Sequence, residues 1–269
     1  MSKERVDRIK KVGHDPNMIS GIHNYCDRWC ERCSFTSRCV VFAMEPEGGR
    51  DAESLDIKNE AFWDELADNF QSSFELLREM LVEHGIDPDE PPSDEDMAEY
   101  DRANKASENH PLVKDAEEYM MGVMDWFKES DSMFEDKVEE LATKVRLELP
   151  NTSPEDEVLE VRDIVDVIQW YCTMIPVKIG RAVHGKLEGV PDIIKDMPRD
   201  CDGSAKIALI SLDRSLAAWI KMRQHFPQYE DEILDFLVKL EKLRKTTEYE
   251  FPEARAFVRP GFDETAIKK

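Results

Sequence analysis

The sequence contains no run of 18 or more apolar residues, and this absence excludes a transmembrane helix. The first 12 residues are charged throughout and include no apolar stretch, so we expect no secretory signal. Glycine is scarce, at 11 of 269 residues, and charged residues make up 35% of the chain, which favours helices over strands. We therefore expect a helical protein of the cytoplasm, a compartment in which thiols stay reduced.

Signatures of common catalytic and nucleotide-binding sites are missing as well. The chain has no G-x-S-x-G, P-loop, G-x-G-x-x-G or H-E-x-x-H motif. None of its six histidines has an acidic residue three positions before it, as the glutamate–histidine pairs of a ferritin-like di-iron bundle require. The sequence therefore identifies no reaction class, and whether the protein is an enzyme stays open.

Positive charge is in short supply: the net charge is −23, from 36 basic and 59 acidic residues. Residues 1–40 are the exception, with eight bases and five acids. The acidic remainder repels phosphate backbones and anionic lipid surfaces. We therefore disfavour extended nucleic-acid binding and membrane binding, and we expect an unidentified protein or small molecule as the partner.

Four of the six cysteines fall within 14 residues, as Cys26, Cys30, Cys33 and Cys39 in the pattern C-x3-C-x2-C-x5-C. Thiolates are the soft ligands that zinc and iron–sulfur clusters select, and four of them complete a shell for either centre. Zinc sites usually separate two ligand pairs by a longer stretch of chain, so the compact run favours a [4Fe–4S] cluster. One Zn²⁺ ion is the second possibility, and four thiols without a metal are the third possibility. His23 is the first residue that could replace one ligand.

The spacing of the last three cysteines, Cys30-x2-Cys33-x5-Cys39, resembles the iron–sulfur loop of helix-hairpin-helix DNA glycosylases. The first three, Cys26-x3-Cys30-x2-Cys33, resemble the motif of radical S-adenosylmethionine enzymes. Both resemblances imply an iron–sulfur cluster. Neither implies an activity here, because the first gap is shorter than in the glycosylases and because a fourth cysteine fills the iron position that radical chemistry leaves open.

Aromatic and basic residues are interleaved with these cysteines. Three aromatic side chains are predicted to screen a cluster from water, and three arginines to offset the charge of four thiolates. The aromatic set is Tyr25, Trp29 and Phe35, and the basic set is Arg28, Arg32 and Arg38.

The remainder of the chain shows apolar residues at helical spacing and no credible strand. One such face runs through Phe62, Leu66, Phe70, Phe74, Leu77 and Leu81. We predict an all-α protein in which a bundle of four to five long helices follows a small N-terminal module with a four-cysteine metal site. The predicted parts are a metal-binding module at 1–50, a helical bundle at 51–247, and an extended C-terminal tail at 248–269 that packs on the bundle.

A second candidate site lies within the predicted bundle. Asp166, Gln169 and Thr173 share one line of an otherwise apolar helix, beside a kink expected at Pro176. Ser211 and Ser215 lie on a stripe of small residues in the next helix. Together these five residues would form a polar, cofactor-binding pocket if the protein is an enzyme. The structural alternatives are a narrow solvent-facing line and a close helix contact.

Three functions therefore stay open after the sequence analysis. The first is a metal protein with a four-cysteine centre in a structural or redox role. The second is an enzyme with its pocket in the bundle, and the third is an adaptor that uses zinc to stiffen a protein-binding end.

Overall fold

A computed structural model describes residues 2–45, 56–83, 85–91, 93–147, 153–188 and 199–263. Within these ranges the chain is helical and contains no strand, so the predicted all-α class is confirmed. The chain divides into two compact units: unit 1 comprises Met1–Met97 and Val258–Lys269, and unit 2 comprises Ala98–Phe257. The boundary predicted at residue 50 lies outside the described residues. No helix in the described ranges combines the length and apolarity that a membrane span requires.

Unit 1 contains the helices α1 (Ser2–Gly13), α2 (Val40–Ala43) and α3 (Glu60–Glu83), and it ends within α4 (Asp94–Glu108). Three single-turn 3₁₀ helices lie between α1 and α2, at Ile22–Tyr25, Cys30–Arg32 and Thr36–Arg38. Helix α1 packs on α3 through polar groups: Arg5 donates to the side chain of Asn69, and Lys10 pairs with Glu79.

Helix α3 forms where the apolar spacing predicts it, but half of the residues on its predicted apolar face are exposed. Phe70, Phe74 and Leu77 are 57%, 67% and 45% exposed, whereas Ser72 on the opposite side is buried. The physical reason is that α1 contacts the polar side of α3, where Asn69 lies. As a result, the described residues of unit 1 bury only two apolar side chains, Val6 and Ile22.

Unit 2 is a bundle with its own apolar core. Its long helices are α5 (Pro111–Glu129), α6 (Asp131–Arg146), α7 (Pro154–Glu188), α8 (Asp200–His225) and α9 (Glu230–Glu250). Helix α7 packs along α8, while α5 contacts α7 and α9. Helix α7 begins as its sequence predicts, with proline at the first position and three acids in the first turn, and it continues as a helix through Pro176.

The centre of this bundle is aromatic. Trp219 of α8 is fully buried, and its ring stacks on Phe236 at 4.6 Å between centroids and meets Trp126 edge-on at 5.2 Å. The indole Nε1–H of Trp219 donates to the hydroxyl of Tyr119 at 3.0 Å. Helices α5, α8 and α9 thus share one interlocked group of rings.

The end of the chain contributes to both units. Helix α9 continues to Glu250, past the start of the predicted tail, and a 3₁₀ turn at Ala254–Ala256 packs on α8. Arg255 anchors this turn within unit 2 by pairing with Asp213 and Glu248. Residues 258–263 belong to unit 1, and residues 264–269 lie outside the described part of the chain.

A network of ion pairs joins α6 to the first turn of α7. Lys137 is only 8% exposed, and its Nζ lies 2.6 Å from Glu157 and 3.1 Å from Glu140. Lys144 pairs with the same two carboxylates at 3.0 and 2.6 Å. Hydrogen bonds from Lys137 and Lys144 lower the pKa of Glu157 to about 2.

Glu157→Gln is expected to lower the free energy of unfolding at pH 7 by about 1–2 kcal/mol after solvent screening is allowed for. Because the folded-state pKa is depressed, the contribution of Glu157 is present above its unfolded pKa and is lost as pH falls from about 5 to about 2. Urea unfolding of both proteins at pH 7, 5 and 3 should therefore show a difference that shrinks towards acid. Glu155→Gln is the matched control, because it removes an exposed acid from the same first turn. Equal losses in the two variants would mean that the network contributes nothing.

Candidate metal centre

Each of the four clustered cysteines lies at the edge of a short turn. Cys26 directly follows the first 3₁₀ turn, Cys30 begins the second and Cys33 directly follows it. Cys39 joins the third turn to α2. The backbone N–H of Cys33 donates to the carbonyl of Cys30 at 3.1 Å, and that of Cys39 donates to Thr36 at 3.2 Å. These tight turns reverse the chain repeatedly, and they bring four positions that are spread over 14 residues to one place.

All four cysteines are free thiols, and all four line a single cavity in unit 1. The cavity is narrow, and the space in it that a water molecule can occupy is about 20 Å³. Its other walls include His23, Arg28 and Ile22, together with aromatic side chains. These aromatic residues are Trp29, Phe35, Phe42 and Phe262.

The thiols share this cavity without converging on the position of one ion. Among the described residues, no group of three or more histidine, cysteine, aspartate or glutamate side chains is arranged to hold a metal ion. A tetrahedral zinc ion needs each sulfur about 2.3 Å from a single point. The predicted metal-binding module therefore stays a prediction.

Electrostatics in the cavity disfavour a thiolate at Cys30 when no cation is bound. Burial raises the pKa of Cys30, and the nearby Glu45, Cys26 and Cys39 raise it further. A deprotonated Cys26 or Cys39 thus opposes the ionisation of Cys30. A bound cation reverses this balance, because metal ligation requires the thiolate and releases its proton.

His23 presents an unsatisfied nitrogen next to the thiols. Its Nδ1 is buried and has no hydrogen-bond partner among the described residues. Burial, followed by the charge of Arg28, lowers the pKa of His23, so the imidazole is largely neutral at pH 7. The unprotonated nitrogen of a neutral imidazole can bind a metal ion or accept a hydrogen bond from a neighbouring donor.

Arg28 adopts an unusual backbone conformation between the first two cysteines. Its φ of 57° lies in the left-handed region, and it is the only non-glycine residue in the described ranges with a positive φ. This conformation costs roughly 1–2 kcal/mol for a residue with a Cβ atom. Backbone strain of this kind persists only where the surrounding structure enforces it. Such strained residues are concentrated at functional sites.

The three arginines predicted to offset thiolate charge differ in position. Only Arg28 lines the cavity. The guanidinium of Arg32 lies 3.8 Å above the ring of Trp29, and Arg38 donates through Nε to the carbonyl of Asn17 at 2.9 Å. Arg38 therefore ties the cysteine segment to the chain that precedes it.

Of the predicted aromatic screen, Trp29 and Phe35 line the cavity, whereas Tyr25 is not among the lining residues. Sequence reasoning missed Phe42 and Phe262. Phe42 lies three residues after Cys39, and its proximity along the chain was an available signal. Phe262 lies at the other end of the sequence, and nothing local indicates that it meets the cysteines.

The second predicted site divides between the surface and the core of unit 2. Gln169 and Thr173 are exposed and Asp166 is half-buried, whereas Ser211 and Ser215 are fully buried. The hydroxyl of Thr173 donates to the carbonyl of Trp170 within its own helix, and that of Ser211 donates to Ile207. Gln169 instead lines an apolar groove between α6 and α7.

Comparison of the chain with protein families, curated proteins and solved structures gave no match. Its function is therefore inferred from its own residues.

Proposed function

We propose that Cys26, Cys30, Cys33 and Cys39 bind one metal centre, for which a [4Fe–4S] cluster fits best, in a structural or redox role. The observation that carries this proposal is the meeting of four free thiols at one cavity. The donor chemistry fits the group, because four thiolates complete the shell of a cubane and leave no protein ligand to be found elsewhere.

The preference for a cluster over one zinc ion comes from the spacing of the cysteines. Four thiols within 14 residues leave little chain for the two separate ligand pairs of a usual zinc site, whereas iron–sulfur clusters tolerate such compact runs. The cluster iron atoms would supply one-electron chemistry if the role is redox. Zinc would use the same four ligands, and it would agree with the adaptor hypothesis.

The chain's own groups support this assignment through their placement. The backbone N–H of Phe35 donates to the sulfur of Cys33 at 3.4 Å, a contact that stabilises a thiolate ligand. Trp29 and Phe35 line the cavity and exclude part of the water around it. These groups would lower the polarity around a bound cluster.

The small apolar core of unit 1 supports a structural role for a bound metal. Its described residues bury only Val6 and Ile22 as apolar side chains, and this burial supplies little hydrophobic stabilisation. Small folds with such limited cores are usually held together by a metal or by disulfides, and the cysteines here form no disulfide. Metal binding would therefore provide much of the free energy that orders residues 21–43.

Protein purified without oxygen is expected to be brown, with broad visible absorbance and roughly four iron atoms per chain. The measurements are elemental analysis and an absorbance spectrum before and after reduction. A colourless protein with about one zinc per chain would reverse the choice of metal and keep the ligands. A protein that takes up neither metal, and in which all four thiols react freely, would overturn the proposal.

A further inference from the structure

One wall of the thiol cavity is formed by Phe262, which lies far along the chain from the cysteines. The ring of Phe262 meets the ring of Phe35 edge-on, with 5.0 Å between the centroids. Phe35 in turn donates its backbone N–H to the sulfur of Cys33. Residues from the two ends of the sequence thus meet directly at the candidate ligands.

The segment that carries Phe262 is held in a fixed turn. The carboxylate of Asp263 accepts hydrogen bonds from the backbone N–H of Arg259 at 3.0 Å and from its guanidinium at 3.0 and 2.9 Å. The guanidinium of Arg259 also lies 4.8 Å from the centre of the Phe262 ring. The side chains of Arg259 and Asp263 are only 16% and 21% exposed, so solvent screens this pair less than a surface pair.

Gly261 allows this turn to pack closely against Ile19 and Ile22. Its φ is +75°, and a Cβ atom at this position would come within 2.9 Å of Ile19 and 3.1 Å of Ile22. Ile22 is buried and lines the cavity beside the cysteines. The left-handed conformation and the close approach both require glycine at this position.

We propose that residues 259–263 form a cap over the thiol cavity, and that Phe262 limits the access of water, oxidants and bulky chelators to the sulfurs. The part of this inference that concerns a metal centre rests on the function proposed above. The cap itself acts on the four thiols whether or not they hold metal.

The test compares the unaltered protein with Phe262→Ala, with Asp263→Asn, and with Val258→Ala as the matched control. Val258 directly precedes this segment, is 44% exposed and does not line the cavity. If the isolated protein holds metal, the readout is the rate of metal loss to a bulky chelator and to a small one. If it holds none, the readout is the rate of alkylation of Cys26, Cys30, Cys33 and Cys39 by a bulky maleimide and by iodoacetamide, mapped by mass spectrometry.

Phe262→Ala is expected to accelerate the reaction with the bulky reagent by about tenfold or more, and the reaction with the small reagent by less, because the barrier is steric. Asp263→Asn keeps the ring and loosens the turn, so its effect should be smaller but of the same kind, and Val258→Ala should leave both rates unchanged. The same acceleration for both reagents would indicate general unfolding and would overturn the cap, as would unchanged rates in both variants. Absence of metal would contradict the proposed function but would leave the alkylation result to decide the inference.

Discussion

Replacing Cys39 with alanine is expected to release the metal and to disorder residues 21–43, while the bundle of unit 2 stays folded. Cys39 supplies one of four ligands, and its loss should weaken metal binding by more than about 100-fold, the upper range seen when only a supporting residue of a metal site is changed. The segment around the cavity would then lose its main source of stability, because only Ile22 is buried within it. Unit 2 should persist, since the residues of its apolar core all come from unit 2 itself.

Metal content and hydrogen exchange together measure this outcome. Exchange should rise in peptides from residues 21–43 and stay low in peptides from α7 and α8. Cys172→Ala is the control for the loss of a thiol, because Cys172 is buried in unit 2 and does not line the cavity. This control should keep its full metal content. A Cys39→Ala protein with unchanged metal and spectrum would disprove the four-ligand assignment, and His23→Ala in that background would be the next variant to measure.

The parts of the site that the sequence predicted are local along the chain. The four cysteines and two of the three predicted aromatic residues line the cavity, because short turns keep neighbours in sequence close in space. Phe262 was unpredictable for the opposite reason. Its position depends on Gly261 packing against Ile19 and on the pairing of Arg259 with Asp263, and no periodicity records such long-range contacts.

The sequence predicted the positions of the helices better than it predicted which surfaces each helix packs against. The spacing from Phe62 to Leu81 correctly indicated α3, since apolar residues at helical spacing lie on one side of a helix. The same spacing does not say what covers that side, and in the structure Phe70 and Phe74 are largely exposed. Polar residues are equally ambiguous: Thr173 satisfies its hydroxyl on its own helix, so its place in a polar line did not imply a pocket.

Trp219→Ala is expected to lower the free energy of unfolding of unit 2 by about 3–5 kcal/mol. Trp219 is fully buried and packs against Phe236, Trp126 and Phe127, so its removal would leave a cavity between α5, α8 and α9. The measurement is urea unfolding followed by hydrogen exchange in α5 and α8, which reports on unit 2 separately. Ile220→Ala is the matched control, because the neighbouring side chain is 50% exposed; it should change stability by less than about 0.5 kcal/mol.

Trp219→Phe separates packing from hydrogen bonding at the same position. Phenylalanine keeps most of the ring contacts but cannot donate to Tyr119, whose hydroxyl accepts from the indole Nε1–H at 3.0 Å. Tyr119 is fully buried, and burial raises its pKa, so its hydroxyl stays neutral and depends on partners inside the core. The expected loss is about 1–3 kcal/mol, the cost of leaving a buried polar group without one of its hydrogen bonds. If Trp219→Phe were as destabilising as Trp219→Ala, the shape of the indole rather than its size would determine the packing. If it cost nothing, the hydrogen bond to Tyr119 would make no net contribution to stability.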